Sequence, residues 1–265
     1  DFLQILLAAQ LLQAVAPGDL VQGTPAPEQE VLDRTSVGTD HSALQVEEDE
    51  LLVVLGPGQA GKTTLLNCMA GIIMPDAGQI LLDGKTVAGP GPDRGVVFQQ
   101  YALFPWKTVM DNVSFGLYIK GVEKSKRNEV AQKYIDLVGL QGFEKSFPHQ
   151  LSGGMKQRVG LARAWANGPE VLLMDEPFGA LDAQTRYAME KETLSIWEKD
   201  KRTVVFVTNN VEEAIYLGDR VIVLSCMPGR IKSQYPIDIP KPREYTDPRF
   251  LEMRRKISDD TELSL

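Results

Sequence analysis

Soft metal ligands are scarce in this chain: 265 residues carry two cysteines and two histidines. Cys68 and Cys226 stand alone, without the paired spacing of zinc sites or redox motifs. His41 and His149 cannot build a metal cluster between them, which excludes a histidine-based zinc enzyme. The thiols read as reduced, buried side chains of a cytosolic protein. Excess positive charge is also missing: 28 basic against 36 acidic residues leave a net charge of −8, which argues against a general attraction to nucleic acid and leaves room only for local basic patches. Aromatic residues are absent between Phe2 and Phe98. The apolar stretch "FLQILLAAQLLQAVA" from Phe2 to Ala16 is interrupted by Gln4, Gln10 and Gln13. It falls short of the roughly 20 residues of a spanning helix, lacks the basic segment that precedes a signal peptide, and reads as a packing or partner helix.

What remains is ordinary globular material, 43% hydrophobic and 24% charged, long enough for one α/β unit with an inserted lobe or for two domains. Neither a fixed-period repeat nor a low-complexity tract occurs. A stretch rich in Pro, Gly, Thr and acidic residues, Pro17 to about Asp40, reads as a linker, and globular order is expected from Ala43. "LLVVLG" reads as a buried strand, "KTTLLNCMAG" as a helix ending at Gly71, and "GQILLDG" and "RGVVFQQ" as short strands. Helical spacing then dominates to Asn167, notably in "NEVAQKYIDLVGL" and "MKQRVGLARAWANG". Strand runs "VLLMDEP", "TVVFVT" and "RVIVLS" follow, alternating with helices such as "AQTRYAMEKETLSIWEKD". That alternation predicts a largely parallel sheet covered on both faces. The expected organisation is a divergent segment 1–42, a core of 43–107 and 168–238, a helical subdomain 108–167 and a tail 239–265, where Arg254, Arg255 and Lys256 read as a solvated helix face.

Gly56, Gly61, Lys62 and Thr63 fit the spacing G-x-x-x-x-G-K-[ST] between a strand and a helix. In such a loop, here Gly56, Pro57, Gly58, Gln59, Ala60, Gly61, Lys62, Thr63 and Thr64, backbone amides turn toward phosphates and the helix start adds positive potential. Lys62 is placed to reach the β and γ phosphates and Thr63 to offer a hydroxyl to Mg²⁺. "VLLMDEP" carries Asp175 and Glu176 to the carboxyl end of a strand, where open α/β sheets bind ligands. Asp175 suits the Mg²⁺ shell and Glu176 an attacking water. "LSGGMKQR", Leu151 to Arg158, opens a basic helix with exposed amides, either a plain cap at Ser152 or a second anion site. Such a site, lacking its own lysine loop, suits ATP held by another subunit. In "TVVFVTNN", Asn210 caps a helix and Glu213 completes a capping-box pattern, while Asn209 stands where a strand edge meets a ligand.

The order and spacing of the phosphate loop, "VFQQ", "LSGGMKQR", "LLMDEP", "GALD" and the strand ending "VTNN" resemble the ATP-binding cassette ATPases over roughly Ala43 to Asp238. "GPGPDRGVVFQQYALFPWKTVMDNVSFGL" and "DEPFGALDAQTR" are most similar to the ATPase subunits of nitrate, sulfonate and taurine importers. The resemblance implies an α/β P-loop NTPase core with a mainly parallel sheet, a small antiparallel β part and an inserted helical subdomain. Two such subunits, identical or not, would sandwich two ATP molecules with Mg²⁺. It further implies that Gln99 senses Mg²⁺ and water, that Ser152, Gly153 and Gly154 meet the partner's nucleotide, and that Asp182 joins the two sites. Transmembrane permease subunits would dock near the helical lobe at the cytoplasmic face of the membrane, with a substrate-binding protein acting indirectly and no nucleic acid involved.

Two departures stand out. Where this family usually has a γ-phosphate-contacting histidine the chain has Asn209, and Asn210 replaces the common aspartate. Asparagine donates a hydrogen bond but carries no positive charge, so hydrolysis is expected to be retained but weakened. The aromatic that usually stacks on adenine is missing ahead of the loop, His41 being the one nearby ring, and the first strands of the N-terminal sheet are hard to find before Ala43. Both departures favour an alternative, a weakened ATP-binding scaffold paired with another ATPase; Lys62, Asp175 and Glu176 oppose it. A DNA-repair or translation ATPase of the superfamily would require a coiled coil or a second cassette.

Overall fold

The computed structural model describes residues 3–6 as backbone, 43–99, 102–226 and 229–261. The chain begins with β1 (Leu3–Leu6), β2 (Ala43–Val46) and β3 (Leu51–Leu55), followed by α1 (Lys62–Met69), β4 (Gln79–Leu82), β5 (Lys85–Thr86) and β6 (Arg94–Val97). Four helices come next: α2 (Val109–Val113), α3 (Phe115–Ile119), α4 (Lys124–Leu137) and, after a 3₁₀ turn at Pro148–Gln150, α5 (Gly153–Ala166). The remainder runs β7 (Val171–Asp175), α6 (Ala183–Lys199), β8 (Thr203–Thr208), α7 (Val211–Leu217), β9 (Arg220–Leu224), β10 (Ile231–Pro236) and α8 (Pro248–Asp260).

The central sheet has the order β10-β9-β3-β8-β7-β6, parallel throughout except for β10. Its inner strands carry unbroken apolar runs, with polar residues only at their ends (Asp175, Thr203, Thr208 and Arg220), because both faces are covered. Leu51, Val53 and Leu55 pack with residues of α4 to α7 such as Ile135, Trp165, Leu194 and Ile215. Leu52 and Val54 turn the other way, onto Leu65, Leu66 and Met69 of α1 and onto Leu44 and Ile80 of the smaller sheet. Burying each such side chain stabilises the fold by about 1.5–3 kcal/mol.

The smaller sheet, β2-β1-β4-β5, is antiparallel. It corrects the reading of the N-terminal apolar stretch: Leu3–Leu6 is a strand between β2 and β4, not part of a helix, because it fills a ladder whose N–H and C=O groups both neighbours leave open. The sheet therefore does have a strand before Ala43. Residues 7–16, the linker reading of Pro17 to Asp40 and His41 lie outside the described residues. Cys68 is buried, as expected, whereas Cys226 is only half-buried, at the end of the edge of the phosphate loop with Sγ 3.7 Å from Gly58 O.

Register fixes what meets at the carboxyl edge of the central sheet. Leu55 is opposite Thr208, Val207 opposite Asp175, and Val97 opposite Met174. Gly56, Asn209, Glu176 and the Phe98–Gln99 step all leave their strands at that edge. No helix among the described residues is long and apolar enough to cross a membrane.

Candidate nucleotide site

The phosphate loop turns on two left-handed residues, Gln59 (φ 67°) and Gly61 (φ 81°), the second immediately before α1. Glycine takes that conformation freely; at Gln59 it costs about 1–2 kcal/mol. Gly56 is required for a different reason, since a Cβ there would sit 3.2 Å from Leu224 Cβ and 3.4 Å from Ala60 Cβ. Lys62 is buried and folds back under the loop, donating to Gly56 O at 2.8 Å and Pro57 O at 3.0 Å, with Glu176 Oε1 at 3.3 Å. Thr64, next along α1, is exposed.

Thr63 Oγ1 donates to Asp175 Oδ1 at 3.1 Å. Burial pushes the Asp175 carboxyl up from its ordinary range, the Thr63 hydrogen bond opposes that, and the adjacent Glu176 charge adds to the rise. A hydroxyl and a carboxylate oxygen side by side are the hard donors that Mg²⁺ takes, so the residues present fit that ion. Glu176 leaves β7 in a left-handed conformation, φ 41°, tied by its N–H to Val207 O at 2.9 Å. Strained backbone of this kind, costing on the order of 1–3 kcal/mol, persists where surroundings over-determine it. Gln99 is exposed, and a Cβ added at Gly179 would lie 3.7 Å from both Gln99 Nε2 and Glu176 Oε2. Lys62, Thr63, Asp175, Glu176 and Gln99 are thus brought together.

Asn209 is exposed at the same edge, and Asn210 caps α7 by accepting from Glu212 N at 2.9 Å and Glu213 N at 3.2 Å. The reciprocal half of the expected capping box is not formed. Asn210 N donates instead to Thr208 Oγ1 at 3.0 Å, and the Glu213 carboxyl turns inward to hydrogen-bond with the same hydroxyl. Sequence reasoning gave Glu213 only a capping role. Its position on α7 carried a signal, because Tyr216 and Leu217, three and four residues on, are both buried.

Ser152 caps α5, accepting from Met155 N at 3.3 Å, and Asp182 caps α6, accepting from Thr185 N at 3.0 Å. Gly153 and Gly154 form the first turn of α5, and a Cβ at Gly154 would lie 3.1 Å from Thr185 Cγ2. These two turns therefore adjoin each other. Among the described residues, no hydrogen bond or ion pair joins Ser152, Gly153, Gly154 or Asp182 to the phosphate loop of the same chain.

On the helical lobe, Phe104, Trp106, Phe115 and Tyr118 form a chain of ring contacts with centroids 4.6–6.2 Å apart. Buried Asn112 organises it, accepting from Phe104 N at 2.9 Å and donating to Phe104 O, Lys107 O and Thr108 O at 2.9–3.2 Å. Trp106 is nevertheless 72% exposed, Ile119 67% and Tyr118 55%.

The family described as ABC transporter matches residues 39–179. An ABC transporter ATP-binding protein of Methanocaldococcus jannaschii is 58% identical over 218 residues, covering 82% of each chain. A taurine import ATP-binding protein of Escherichia coli is 46% identical over 222 residues, 81% of this chain and 87% of that one. Among solved structures, the dimeric structure of a bacterial ABC transporter cassette is 31% identical with a TM-score of 0.66, covering 75% of this chain and 90% of its own. A dimeric post-hydrolysis cassette bound to ADP and Pi is 30% identical with a TM-score of 0.65, over the same shares.

Proposed function

The chain belongs to the ATP-binding cassette family of transporter ATPases, which bind and hydrolyse ATP, and from that premise we propose that it energises uptake of a small anion of the taurine, sulfonate or nitrate class. The observation that carries the catalytic part is the Lys62–Glu176 and Thr63–Asp175 pairing at one sheet edge, 3.3 and 3.1 Å. In this reading the amides from Gly56 to Thr64 cradle the phosphates, and Lys62 exchanges its loop carbonyls for β and γ oxygens. Thr63, Asp175 and Gln99 hold Mg²⁺, which when bound neutralises charge developing between the phosphates. Glu176 orients the attacking water and takes its proton. Asn209 donates to the γ-phosphate.

Ser152, Gly153 and Gly154 serve the ATP of a second cassette subunit, with Asp182 beside them at the joint; the Gly154–Thr185 proximity supports treating these turns as one surface. The permease docks on the exposed aromatic face of the lobe, Trp106, Tyr118 and Ile119, keeping the chain peripheral at the cytoplasmic side of the membrane. The arrangement of Lys62, Asp175 and Glu176 supports an active site over a weakened scaffold.

Mg²⁺-dependent ATP hydrolysis by the purified chain, measured against its concentration with Glu176→Gln as control, tests the self-paired site. A rate per subunit that climbs with concentration and disappears in the control is expected. A rate independent of concentration would overturn the shared site. Uptake of labelled taurine, an alkanesulfonate and nitrate by cells carrying the assembled transporter tests the substrate class, and transport of none of them would overturn it.

A further inference from the structure

Glu213 lies inside the protein, 4% exposed, one helical turn behind the sheet edge where Asn209 stands. Its Oε2 bonds with the Thr208 hydroxyl, which also accepts the Asn210 N–H at 3.0 Å; Asn210 in turn accepts the Glu213 N–H at 3.2 Å. The result is a closed ring: strand end, cap residue, helix N–H and carboxyl each hold the next. Asn209 is the one residue between Thr208 and Asn210, so the ring fixes both ends of its backbone. We propose that Glu213 is a positioning residue for the hydrolytic site, a neutral carboxylic acid that locks the Thr208–Asn210 turn and so aims Asn209.

The surroundings support neutrality on geometric grounds. The second carboxyl oxygen, Oε1, is fully buried with no hydrogen-bond partner among the described residues, and Glu213 makes no ion pair with a cation. A buried carboxylate with one bare oxygen is far more costly than a neutral acid in the same place. The groups facing it are mostly acidic: Glu190 on α6 and Glu176 after β7 disfavour its charge, and Arg186 on α6 favours it from beyond ion-pair distance. Glu190 is itself engaged by the Tyr245 hydroxyl from the tail. Burial above all pushes the Glu213 carboxyl up to about 8; the Thr208 hydrogen bond and Arg186 oppose that rise, and the Glu190 and Glu176 charges add to it. The turn is therefore locked at neutral pH; ionisation strengthens the bond donated by the Thr208 hydroxyl but leaves a buried charge with one bare oxygen, and water drawn to that oxygen opens the ring.

The inference rests on the reading of Asn209 as the γ-phosphate contact, and its test separates the two. Infrared difference spectra of wild type against Glu213→Gln at pH 7 should show a neutral carboxyl C=O band present only in wild type; its absence would overturn the proposal. Glu213→Gln, which keeps shape and hydrogen bonds but cannot ionise, should hold the ATPase rate within about twofold at pH 7 and abolish the fall in rate above pH 8. Glu213→Leu fills the same space without hydrogen bonds and should lower kcat about tenfold or more, with faster amide exchange at Asn210; wild-type kcat and exchange in a folded Glu213→Leu would overturn the proposal. An unchanged rate in Asn209→Ala would instead remove the γ-phosphate reading, leaving the infrared band and Asn210 exchange to decide whether Glu213 locks the turn.

Discussion

Replacing Arg243 by methionine should destabilise the protein by about 3–5 kcal/mol, the range for breaking a buried charged arrangement. The guanidinium is 4% exposed and has no carboxylate within ion-pair distance among the described residues. It donates instead to five carbonyls: Ile239 O at 2.8 Å, Ile215 O at 2.5 Å, Tyr216 O at 3.3 Å, Gly218 O at 2.6 Å and Ile237 O at 3.0 Å. Three of these belong to the end of α7, where the last carbonyls have no intrahelical donor and a cation also meets the negative end of the helix dipole. Methionine fills the volume and leaves all five acceptors bare. At about 1–3 kcal/mol for each buried unsatisfied group the raw loss exceeds 5 kcal/mol, and release of a desolvated guanidinium together with water entry returns part of it. The burial cost is visible in the arginine itself, whose pKa is pushed down to about 10. Urea unfolding followed by circular dichroism, with a slope of about 3 kcal/mol per M, should show the midpoint fall by about 1–1.7 M. Arg243→Lys, a point charge with no planar fork, should recover less than half of the loss. A methionine variant within about 1 kcal/mol of wild type would refute the reasoning.

Gly61→Ala forces a Cβ into φ 81°, a cost of about 1–2 kcal/mol, and should weaken nucleotide affinity about tenfold in a fluorescent-nucleotide titration; an unaltered Kd would count against the left-handed turn as the reason for glycine. Arg158 joins α5 to α6 through Glu192 at 3.0 Å and to α4 through Val138 O at 3.1 Å, so Arg158→Met should cost about 2 kcal/mol in urea unfolding. Adding Glu192→Gln should recover part of that, because without Arg158 the Glu192 carboxyl, which burial already pushes up to about 7, loses its counter-charge and the neutral amide removes the buried acid; additive losses would show that the two do not couple. Stability should also depend on pH through Glu190 at about 7 and Glu213 at about 8. Both are raised above the ordinary glutamate value, so the folded state binds their protons more tightly than the unfolded chain. Their contribution is complete below the unfolded value near 4.5 and is lost as pH climbs through 7 to 8, at up to about 1.4 kcal/mol per pH unit for each group. The urea midpoint should fall from pH 6 to pH 8.5 and fall less steeply in Glu213→Gln; equal slopes would exclude Glu213 as a source.

Much of the site was readable because its chemistry is local in sequence. A loop of nine residues and an acidic pair closing an apolar strand announce themselves, and the unbroken apolar runs of β3, β7, β8 and β9 follow from burial on both faces. What joined them was not readable. That Leu55 faces Thr208 and Val207 faces Asp175 is a matter of strand order, and no residue within a strand names its neighbour. β1 was missed for a related reason: "LQIL" sits in a stretch whose apolar spacing suits a helix, and only the open ladders of β2 and β4 make it a strand. Conversely, the reading of Arg254, Arg255 and Lys256 as a solvated face holds for Arg255, whose side chain is 86% exposed, but Arg254 reaches Glu212 on α7 at 3.1 Å.

Arg243 and Glu213 were hidden more deeply, and their positions explain each other. A charged residue in a sequence reads as surface unless a charge partner is visible, and both are buried on backbone or hydroxyl groups instead of an opposite charge. α7 has seven residues, too few to hold a helix in isolation. Its N-terminal end is fixed by the ring of Thr208, Asn210 and Glu213, and its C-terminal end by the Arg243 fork. Along its length Tyr216 stacks on Tyr245, with ring centroids 5.0 Å apart and planes 4° from parallel. The segment following β10 therefore completes the helix on which the Asn209 turn rests. Loosening Arg243 should reach the nucleotide edge as well as the melting curve: a loss of ATPase rate in Arg243→Lys under conditions where it remains fully folded is the consequence that follows, and a folded variant with full activity would confine the tail to stability alone.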